Sequence, residues 1–449
     1  MIEEAVATPV ENKSRIFDEH HPPAAELLSV CVHCGFCLQT CPTYMLWGKE
    51  MDSPRGRIQL INMAVEGEVE LTDTYVSHFD HCLGCLACVT ACPSGIKYGK
   101  LIESMRGQVE RLHRRSPMER ILRRMIAATF SNPARLRKLA VALRVYQRLG
   151  IQRFAHALHL TSLLPKSLRQ MEQLLPDLSR EESSAVLPPR ILAQGEKRRT
   201  VAMVTGCVQS VFKAEVSAAT AHVLAAEGCD VLVPQNQGCC GALCLDLGQE
   251  AEALDYARKM IDRFEQLDVD AIIVNAAGCG AALKDYGYLL RDDPQYSRRA
   301  LAFSAKCKDP SELLAELPPR AERHPINLQV GFHDPCHLQH AQGLREPPRA
   351  ALRTIPGLKL VELPESALCC GSAGVYNLLQ PETGRALGQR KVENIVSTPA
   401  QVVATGNPGC QLQIAALLNE KGRPLPVMHY MELLDASIRG AAIRSVSMK

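Results

Sequence analysis

The stretches CVHCGFCLQTCP at residues 31–42 and CLGCLACVTACP at residues 82–93 each place four cysteines within twelve positions. The cysteines of the second stretch follow those of the first at a constant interval of 51 residues. Both stretches have the spacing C-x2-C-x2-C-x3-C-P, which is typical of bacterial proteins that bind 4Fe-4S clusters. The repeat therefore predicts a two-cluster, ferredoxin-like helical domain over residues 1–104.

The same spacing predicts which thiolates share a cluster. Three cysteines of one tight loop can cap three irons of a cube, while the fourth faces away and, in two-cluster proteins, binds the other cluster. Gly35 and Gly84 would allow the backbone to approach the inorganic sulfides. The predicted ligands are Cys31, Cys34, Cys37 and Cys92 for the first cluster, and Cys82, Cys85, Cys88 and Cys41 for the second. His33 and His81 adjoin these ligands, and we expect them to lie beside the clusters or at the surface.

Zinc is the alternative metal, because paired CxxC motifs also form tetrahedral zinc sites. Zinc needs four ligands, whereas each stretch here offers three close cysteines, an offset fourth and a proline after it. This arrangement favours clusters. A zinc-binding structural module, with the basic part of the chain available for nucleic acid, remains the competing hypothesis, and the visible absorption of the protein would separate the two.

Length and composition indicate a multidomain chain inside the cell. The chain has 449 residues, of which 46% are hydrophobic, so about three domains are expected. Its acidic first residues do not form a secretory signal, and no apolar run approaches the roughly 18 residues of a membrane-spanning helix. Nineteen cysteines in a reducing compartment favour metal binding over a disulfide framework. We therefore expect a cytoplasmic protein.

A basic helical segment is predicted over residues 105–198. Residues 106–169 contain fifteen Lys or Arg and two acidic residues, a net charge of +13. Leu136, Leu139, Ala140 and Leu143 follow helical spacing. Such a segment is expected to dock on an acidic surface, either an anionic membrane or a partner subunit. The Pro-containing, charged residues 179–199 are predicted to form a linker.

The rest of the chain consists of two similar halves, predicted as domains over residues 199–325 and 326–449. Each half has strand-like β-branched runs that alternate with helical runs, and each contains a CCG sequence. Four cysteines recur at intervals of 129 to 131 residues. The first set is Cys207, Cys239, Cys240 and Cys279, and the second is Cys336, Cys369, Cys370 and Cys410. We predict two duplicated α/β cysteine-rich domains, with these cysteines at strand ends, in a chain of mixed α+β and α/β class.

Several phrases of the sequence carry a family resemblance. DSPRGRIQLI at residues 52–61 follows the first cysteine stretch, and GCCGA, AGCGA, LCCGSAG and GCQ follow in order through the two halves. With the double ferredoxin motif, the chain resembles the iron-sulfur subunit of bacterial glycolate oxidase, also called glycolate dehydrogenase. It is similar, more distantly, to iron-sulfur subunits of anaerobic glycerol-3-phosphate dehydrogenase, lactate-utilisation proteins and heterodisulfide reductase.

The resemblance implies a function in electron transfer. A flavin-containing partner subunit would oxidise glycolate to glyoxylate, and this oxidoreductase subunit would pass the electrons towards the membrane quinone pool, from a peripheral position on the inner face of the membrane. The chain shows no GxGxxG fingerprint, so we expect no flavin and no catalytic residue on it, and we expect no nucleic-acid partner. A lactate or glycerol-3-phosphate dehydrogenase complex is the alternative assembly.

The resemblance leaves the role of the duplicated cysteines open. In heterodisulfide reductase relatives each set ends in CxxC and can hold an unusual iron-sulfur cluster, whereas Ala282 and Gln413 stand at the second of those positions here. A third cluster and simple burial of small thiols are both consistent with the sequence. We expect two further groups not to act as ligands. These are the histidines around Cys336, namely His333, His337 and His340, and the unrepeated thiols Cys229, Cys244 and Cys307.

Overall fold

The structure is a computed structural model that describes residues 16–150, 154 and 187–443. Its backbone divides into two compact units. One contains the described residues up to Glu119 together with Leu245–Gln249, and the other contains Arg120–Cys244 and the described residues from Glu250 onwards. The predicted class is confirmed: a helical ferredoxin-like domain precedes a helical segment and two α/β repeats. The domain boundaries given above stay predictions.

The N-terminal unit is helical, and none of its described residues forms a strand. Its helices are α1 (Ala25–Leu28), α2 (Pro42–Trp47), α3 (Pro54–Val65), α4 (Asp73–Asp80), α5 (Ala87–Thr90) and α6 (Tyr98–Leu112), with short 3-10 turns at Leu38–Thr40 and Glu50–Asp52. The largest helices, α3, α4 and α6, bury one face each around Ile61, Phe79 and Leu101. This core holds the two cysteine loops in place.

The DSPRGRI phrase forms the start of α3. Ser53 caps the helix, since its hydroxyl accepts a hydrogen bond of 2.9 Å from the backbone N–H of Gly56, and Pro54 occupies the first helical position. A Cβ at Gly56 would lie 2.0 Å from the carbonyl oxygen of Glu50, so only glycine fits there. The phrase therefore fixes the turn that follows the first cysteine loop.

Two helices follow in the basic segment, α7 (Pro117–Phe130) and α8 (Pro133–Arg148). Helix α8 begins at Asn132, whose side chain accepts the N–H groups of the next turn. Its buried residues Leu136 and Ala140 pack on an apolar pair of the first half, Val211 and Phe212. Leu139, predicted to share this face, is exposed at its edge. Residues 155–186, which include residues 179–186 of the predicted linker, lie outside the described ranges.

The first half is a five-stranded sheet flanked by helices. In chain order its elements are β1 (Arg190–Ile191), β2 (Arg199–Val204), α9 (Gln209–Phe212), α10 (Ala214–Ala226), β3 (Cys229–Leu232), α11 (Ala242–Asp246), α12 (Glu250–Phe264), β4 (Ala271–Val274), α13 (Ala277–Lys284), α14 (Tyr286–Leu289), α15 (Ser297–Lys306), β5 (Cys307–Lys308) and α16 (Pro310–Glu316). The strand order is β1-β3-β2-β4-β5, and only β1 is antiparallel to its neighbour. Strand β1 lies within the predicted linker, which therefore contributes an edge strand.

The second half repeats this plan with four parallel strands. Its elements are β6 (Gln329–Phe332), a π-helical turn (His337–Ala341), α17 (Glu346–Arg353), β7 (Lys359–Glu362), α18 (Tyr376–Leu379), α19 (Pro381–Val396), β8 (Val402–Thr405), α20 (Pro408–Glu420), β9 (Val427–His429) and α21 (Tyr430–Arg439). The order β7-β6-β8-β9 matches β3-β2-β4-β5 of the first half. The predicted duplication is thus present in the strand order itself.

The two halves pack on each other within one unit. Helix α10 of the first half lies against α21 of the second, and the hydroxyl of Tyr430 donates a 2.6 Å hydrogen bond to Asp309 across the boundary. The loops after β4 and β8 also meet, since the N–H of Ala277 donates to the carbonyl of Gly406 at 3.1 Å. The carboxyl ends of the two sheets therefore face one another.

None of the helices in the described ranges combines the length and the apolar character needed to cross a membrane.

Candidate metal centres

The two cysteine loops of the N-terminal unit have matching backbones. Positive φ angles occur at His33 and Gly35 in the first loop, and at the equivalent Gly84 and Leu86 in the second. Gly35 and Gly84 thus occupy different positions of the repeat. The residue equivalent to Gly35 is Leu86, the residue equivalent to Gly84 is His33, and both adopt the left-handed conformation. The two loops therefore have the same backbone conformation at these positions, as expected for a pair of equivalent cluster-binding loops.

Burial divides the eight cysteines into two groups of four. One group is at least partly accessible: Cys31, Cys34, Cys37 and Cys92. The other group is buried: Cys41, Cys82, Cys85 and Cys88. These groups are the crossed sets that the sequence predicts, because each contains three cysteines of one loop and the last cysteine of the other.

The accessible group surrounds a single cavity. Cys31, Cys34, Cys37 and Cys92 all line it, and the sulfur-bearing side chain of Cys88 from the buried group borders it as well. The cavity is small and partly open to solvent. Thiols that converge from two loops on one apolar hollow fit a compact inorganic cluster.

The buried group also contains mutually close thiols. Burial, followed by the nearby sulfurs of Cys85, Cys82 and Cys41, raises the pKa of Cys88 well above its ordinary value. The sulfur of Cys82 accepts the N–H of Gly84 at 3.4 Å. Buried thiols with this mutual repulsion lose their protons readily only to a metal, so the group fits a cluster better than free cysteines.

An arginine lies behind each loop. The guanidinium of Arg55 donates to the carbonyl of His33 at 3.1 Å, and that of Arg106 donates to the carbonyl of Cys82 at 2.7 Å. Arg55 also pairs with Glu50, at 2.8 Å. These cations stand where thiolates and reduced clusters would place negative charge, and the cysteine pattern alone gave no sign of them.

A buried carboxylate connects the two loops. Asp52 accepts hydrogen bonds from Nδ1 of His78 at 3.0 Å and from Nδ1 of His81 at 3.1 Å, and Arg57 lies 3.5 Å away. Burial raises the pKa of Asp52, but the bonds from His81 and His78 outweigh it and leave the pKa below its usual value. The Asp52 carbonyl lies 3.7 Å from the sulfur of Cys41. His81 therefore supports the loop through Asp52.

In the α/β unit, the repeated cysteines lie at the carboxyl ends of parallel strands. In each half one cysteine follows the first parallel strand, the CCG pair follows its neighbour, and the fourth lies in the helix after the third. This edge, at the point where the strand order reverses, is where open α/β sheets bind ligands. The strand-end placement predicted from the sequence is present in both halves.

The first set forms a chain of thiols. The sulfurs of Cys207 and Cys239 are 3.5 Å apart, and Cys240 is hydrogen-bonded to both Cys239 and Cys279. The hydrogen bond to Cys239 raises the pKa of Cys207, while bonds from Cys207 and Cys240 hold the pKa of Cys239 well below its ordinary value. One thiolate is therefore stabilised within a cluster of four sulfurs.

The second set has the same connections. The sulfurs of Cys370 and Cys410 are 3.4 Å apart, and the thiol of Cys336 is hydrogen-bonded to that of Cys369. The side chain of Asn407 donates to the sulfur of Cys410 at 3.6 Å. Each half therefore presents four neighbouring sulfurs, as the repeat predicts.

The histidines of HDPCHLQH differ from one another in the structure. His333 is completely buried, and its imidazole lies within 4.8 Å of the sulfurs of Cys370 and Cys410. Nδ1 of His337 is 3.6 Å from the sulfur of Cys336, while His340 lies near the carbonyl of Ala367. The sequence indicates none of them as a ligand, and nothing in the motif distinguishes His333 from its neighbours.

The unrepeated thiols occupy separate places. Cys229 and Cys307 lie in strands β3 and β5, and Cys244 lies in α11 with its sulfur 3.6 Å from the hydroxyl of Ser131. All three are buried. They pack as small apolar residues, as their positions outside the repeat suggested.

Comparison with known families follows the same divisions. Residues 27–96 match the family described as "4Fe-4S dicluster domain", residues 118–175 match "Glycolate oxidase iron-sulfur subunit, linker region", and residues 201–284 and 330–415 match "Cysteine-rich domain". These matches cover both cysteine loops, the basic segment and both α/β halves.

Individual relatives extend over most of the chain. It is 37% identical over 405 residues to the "Probable glycolate oxidase iron-sulfur subunit" of Bacillus subtilis, covering 88% of this chain and 90% of that one. It is 36% identical over 419 residues to the "Glycolate oxidase iron-sulfur subunit" of Escherichia coli, covering 92% and 95%. A "Lactate utilization protein A" from Exiguobacterium is 29% identical over 244 residues, covering 54% of this chain and 99% of that protein.

Proposed function

Because the chain belongs to the family of glycolate oxidase iron-sulfur subunits, we propose that it is the electron-transfer subunit of a glycolate dehydrogenase complex. A flavin-containing partner oxidises glycolate to glyoxylate, and this chain conducts the electrons towards the quinone pool. The substrate is bound by the partner, so we assign no catalytic residue to this chain.

The division of the eight N-terminal cysteines by burial carries the proposal. It supports two 4Fe-4S clusters with crossed ligands, one held by Cys31, Cys34, Cys37 and Cys92, the other by Cys82, Cys85, Cys88 and Cys41. Such clusters exchange single electrons, which zinc cannot do. The protein side supplies the thiolates, the buried setting of the second site and the two arginines that face the loops.

The accessible site provides a contact for a redox partner. Cys34 is exposed, and the apolar side chains of Val32 and Phe36 on the same loop are each 67% exposed. Apolar side chains around an exposed redox site are suited to a transient protein contact, because electron transfer requires close approach. We infer that the first cluster exchanges electrons with another protein and that the second lies deeper in this chain.

The repeated cysteines of the α/β halves form a further proposed site. Four sulfurs converge in each half, at Cys207, Cys239, Cys240 and Cys279 and at Cys336, Cys369, Cys370 and Cys410, and we propose that at least one set holds iron or another redox-active group. The depressed pKa of Cys239 supports this for the first half, because metal ligands are thiolates. Iron beyond the eight atoms of two 4Fe-4S clusters, lost on replacement of Cys239 and Cys240 by alanine, would identify it.

The basic helices supply a docking surface at the inner face of the membrane. Exposed apolar side chains recur along α7 at Met118, Ile121 and Met125, and along α8 at Val141 and Val145. Arginines and a lysine are exposed between them. This combination is typical of helices that lie at an anionic lipid surface, where a quinone is accessible.

The test is reduction of the clusters by substrate. The chain is co-produced with its flavin-containing partner, purified anaerobically and mixed with glycolate, lactate or glycerol 3-phosphate while cluster reduction is followed by low-temperature EPR. Reduction by glycolate, followed by reoxidation with a soluble quinone, is the expected result. Reduction by one of the other two substrates alone would assign the chain to that dehydrogenase, and a colourless, iron-free protein that contains zinc would overturn the electron-transfer proposal.

A further inference from the structure

His333 is a buried imidazole with no hydrogen bond. Its side chain is completely inaccessible, and neither Nδ1 nor Nε2 has a hydrogen-bonding partner among the described residues. Buried polar groups in folded proteins are almost always paired, and each exception calls for an explanation. A neutral imidazole with an unpaired nitrogen is able to bind a metal ion.

The nearest reactive atoms are two thiols. One nitrogen of His333 and the sulfurs of Cys370 and Cys410 all lie within 4.8 Å of one another, and all three residues are buried. They come from three separate loops at the carboxyl edge of the second sheet: after β6, after β7 and at the start of α20. Three metal-ligating side chains thus converge from different parts of the chain on one point.

The first half lacks this arrangement. By the interval between Cys207 and Cys336, the residue equivalent to His333 is Val204, which lies within β2 and has no ligating atom. The thiols equivalent to Cys370 and Cys410 are Cys240 and Cys279, which are also hydrogen-bonded to each other. The imidazole is therefore an addition to the repeat and not a consequence of it.

The spacing of the sulfurs is compatible with a single ion. Two thiolates on one tetrahedral ion with metal–sulfur bonds of 2.3 Å stand roughly 3.8 Å apart. In a 4Fe-4S cube each thiolate caps a different iron, which requires a wider separation. The separation of 3.4 Å between Cys370 and Cys410 is close to the tetrahedral value. The sulfurs of Cys207 and Cys239 in the first half are 3.5 Å apart, so it is the imidazole that sets the second half apart.

We propose that His333, Cys370 and Cys410 bind a single tetrahedral transition-metal ion, for which zinc is the best match to a donor set of one imidazole and two thiolates. The neighbouring thiol of Cys369, which is hydrogen-bonded to Cys370, is placed to provide the fourth ligand. The ammonium group of Lys391, anchored on the carbonyls of Glu365 and Ser366, lies nearby and balances the charge of a third thiolate.

This inference concerns the additional site proposed above for the α/β halves and rests on that proposal. It does not depend on which substrate supplies the electrons. It assigns different roles to the two halves, with a fixed metal ion in the second half. A redox group, where one is present, then belongs to the first set of sulfurs.

The test uses the full-length chain, purified anaerobically with its clusters. Zinc and iron per chain are measured by mass spectrometry, and X-ray absorption at the zinc edge reports the ligands without interference from iron. We expect one equivalent of zinc with a nitrogen shell at about 2.0–2.1 Å and sulfur shells at about 2.3 Å. Absence of zinc from the wild-type chain would overturn the inference.

Variants of His333 identify the ligand. His333→Val, which installs the residue of the first half, should weaken zinc retention against a chelator at least tenfold and remove the nitrogen shell. His333→Cys should retain zinc with sulfur ligands only, which keeps the test valid if the valine variant folds poorly. His340→Val, in the same sequence, should change neither measurement. Unchanged zinc ligation in both His333 variants, or loss of iron in place of zinc, would overturn the inference.

The same samples separate this inference from the proposed function. A chain that carries zinc at His333 but whose clusters glycolate fails to reduce would refute the glycolate assignment alone. A chain reduced by glycolate but free of zinc would refute the inference alone.

Discussion

Cys34 and Cys92 line the same cavity, although they belong to different copies of the cysteine repeat. Cys41, the counterpart of Cys92, is instead buried with the second loop, where it lies near Cys88. In burial and position the two loops therefore exchange their last cysteines, as the proposed crossed ligand sets require.

Replacing Cys92 should damage the cluster of the opposite loop. In Cys92→Ala the first cluster retains three thiolates, Cys31, Cys34 and Cys37, and we expect it to lose one iron or to be lost entirely. The second cluster keeps its four thiolates. Iron analysis and EPR of the anaerobically purified chain would show one intact 4Fe-4S signal.

Cys41→Ala is the matched control, and it should affect the second cluster in the same way. Because the second site is buried, its damage should also lower the yield of folded protein more than Cys92→Ala does. If Cys92→Ala instead removed the signal that Cys82→Ala removes, the ligands would not be crossed.

The sequence predicted those parts of the structure that depend on local pattern. Cysteine spacing revealed both loops, and alternating strands and helices revealed the two α/β halves, because chemical ligation and hydrophobic periodicity each leave a repeat in the chain. Helix α8 was predicted from its spacing, yet Leu139 lies outside the buried face, since the width of that face depends on what α8 packs against.

The features that the sequence did not reveal depend on contacts between distant segments. Arg106 lies behind the second cysteine loop because α6 folds back on it, and nothing in its own neighbourhood marks it. His333 stood among three similar histidines, and only the meeting of three strand-end loops distinguishes it from His340. Strand β1 forms within a charged, Pro-containing run because it pairs with β3, which lies about 40 residues later in the chain.

Removing the charge of Arg106 should lower the reduction potential of the second cluster. A reduced cluster carries one more negative charge, which a nearby guanidinium stabilises. At separations of roughly 8–12 Å and an effective dielectric constant of about 20, this amounts to about 1–2 kcal/mol, or on the order of 50–100 mV. Arg106→Gln should show that decrease in an EPR-monitored redox titration.

Arg106→Lys provides the control for this effect, because it keeps the charge and should leave most of the potential unchanged. Arg55→Gln should lower the potential of the first cluster by less, since that site is open to solvent, which screens the charge. Equal potentials in Arg106→Gln and the wild type would show that the guanidinium serves only to hold the loop.

The apolar side chains exposed on α7 should determine membrane binding. Met118, Ile121 and Met125 lie on one side of the helix and are 75%, 61% and 55% exposed. Replacing all three by serine removes apolar surface that would enter the lipid interface, so binding to anionic liposomes should fall at least tenfold. Sedimentation with liposomes that contain an anionic lipid measures this.

Leu301→Ser is the control, since Leu301 is 61% exposed on α15, which is not part of the basic segment. It should leave liposome binding unchanged, whereas added salt should weaken binding of the wild type. Binding that is absent, or that persists unchanged at high salt, would contradict a membrane role and leave an acidic partner subunit as the alternative to test by the same titration.

The buried His429 should make the second half sensitive to acid. Burial lowers the pKa of His429 to about 3, and its Nδ1 accepts the N–H of Met431 at the start of α21. The ordinary pKa of a histidine is about 6.5, so between pH 3 and pH 6.5 the unfolded chain binds a proton that the folded chain does not. The free energy of unfolding therefore falls by about 1.4 kcal/mol for each unit by which the pH falls in this range. Above pH 6.5 this contribution is constant. From pH 7 to pH 5 the loss is therefore about 2 kcal/mol.

Hydrogen exchange of the α21 amides, corrected for the intrinsic rate, should show this loss of protection. His429→Asn keeps an acceptor for the helix start without a titrating group, so its protection should depend less on pH. The same pH dependence in both proteins would mean that another group is responsible.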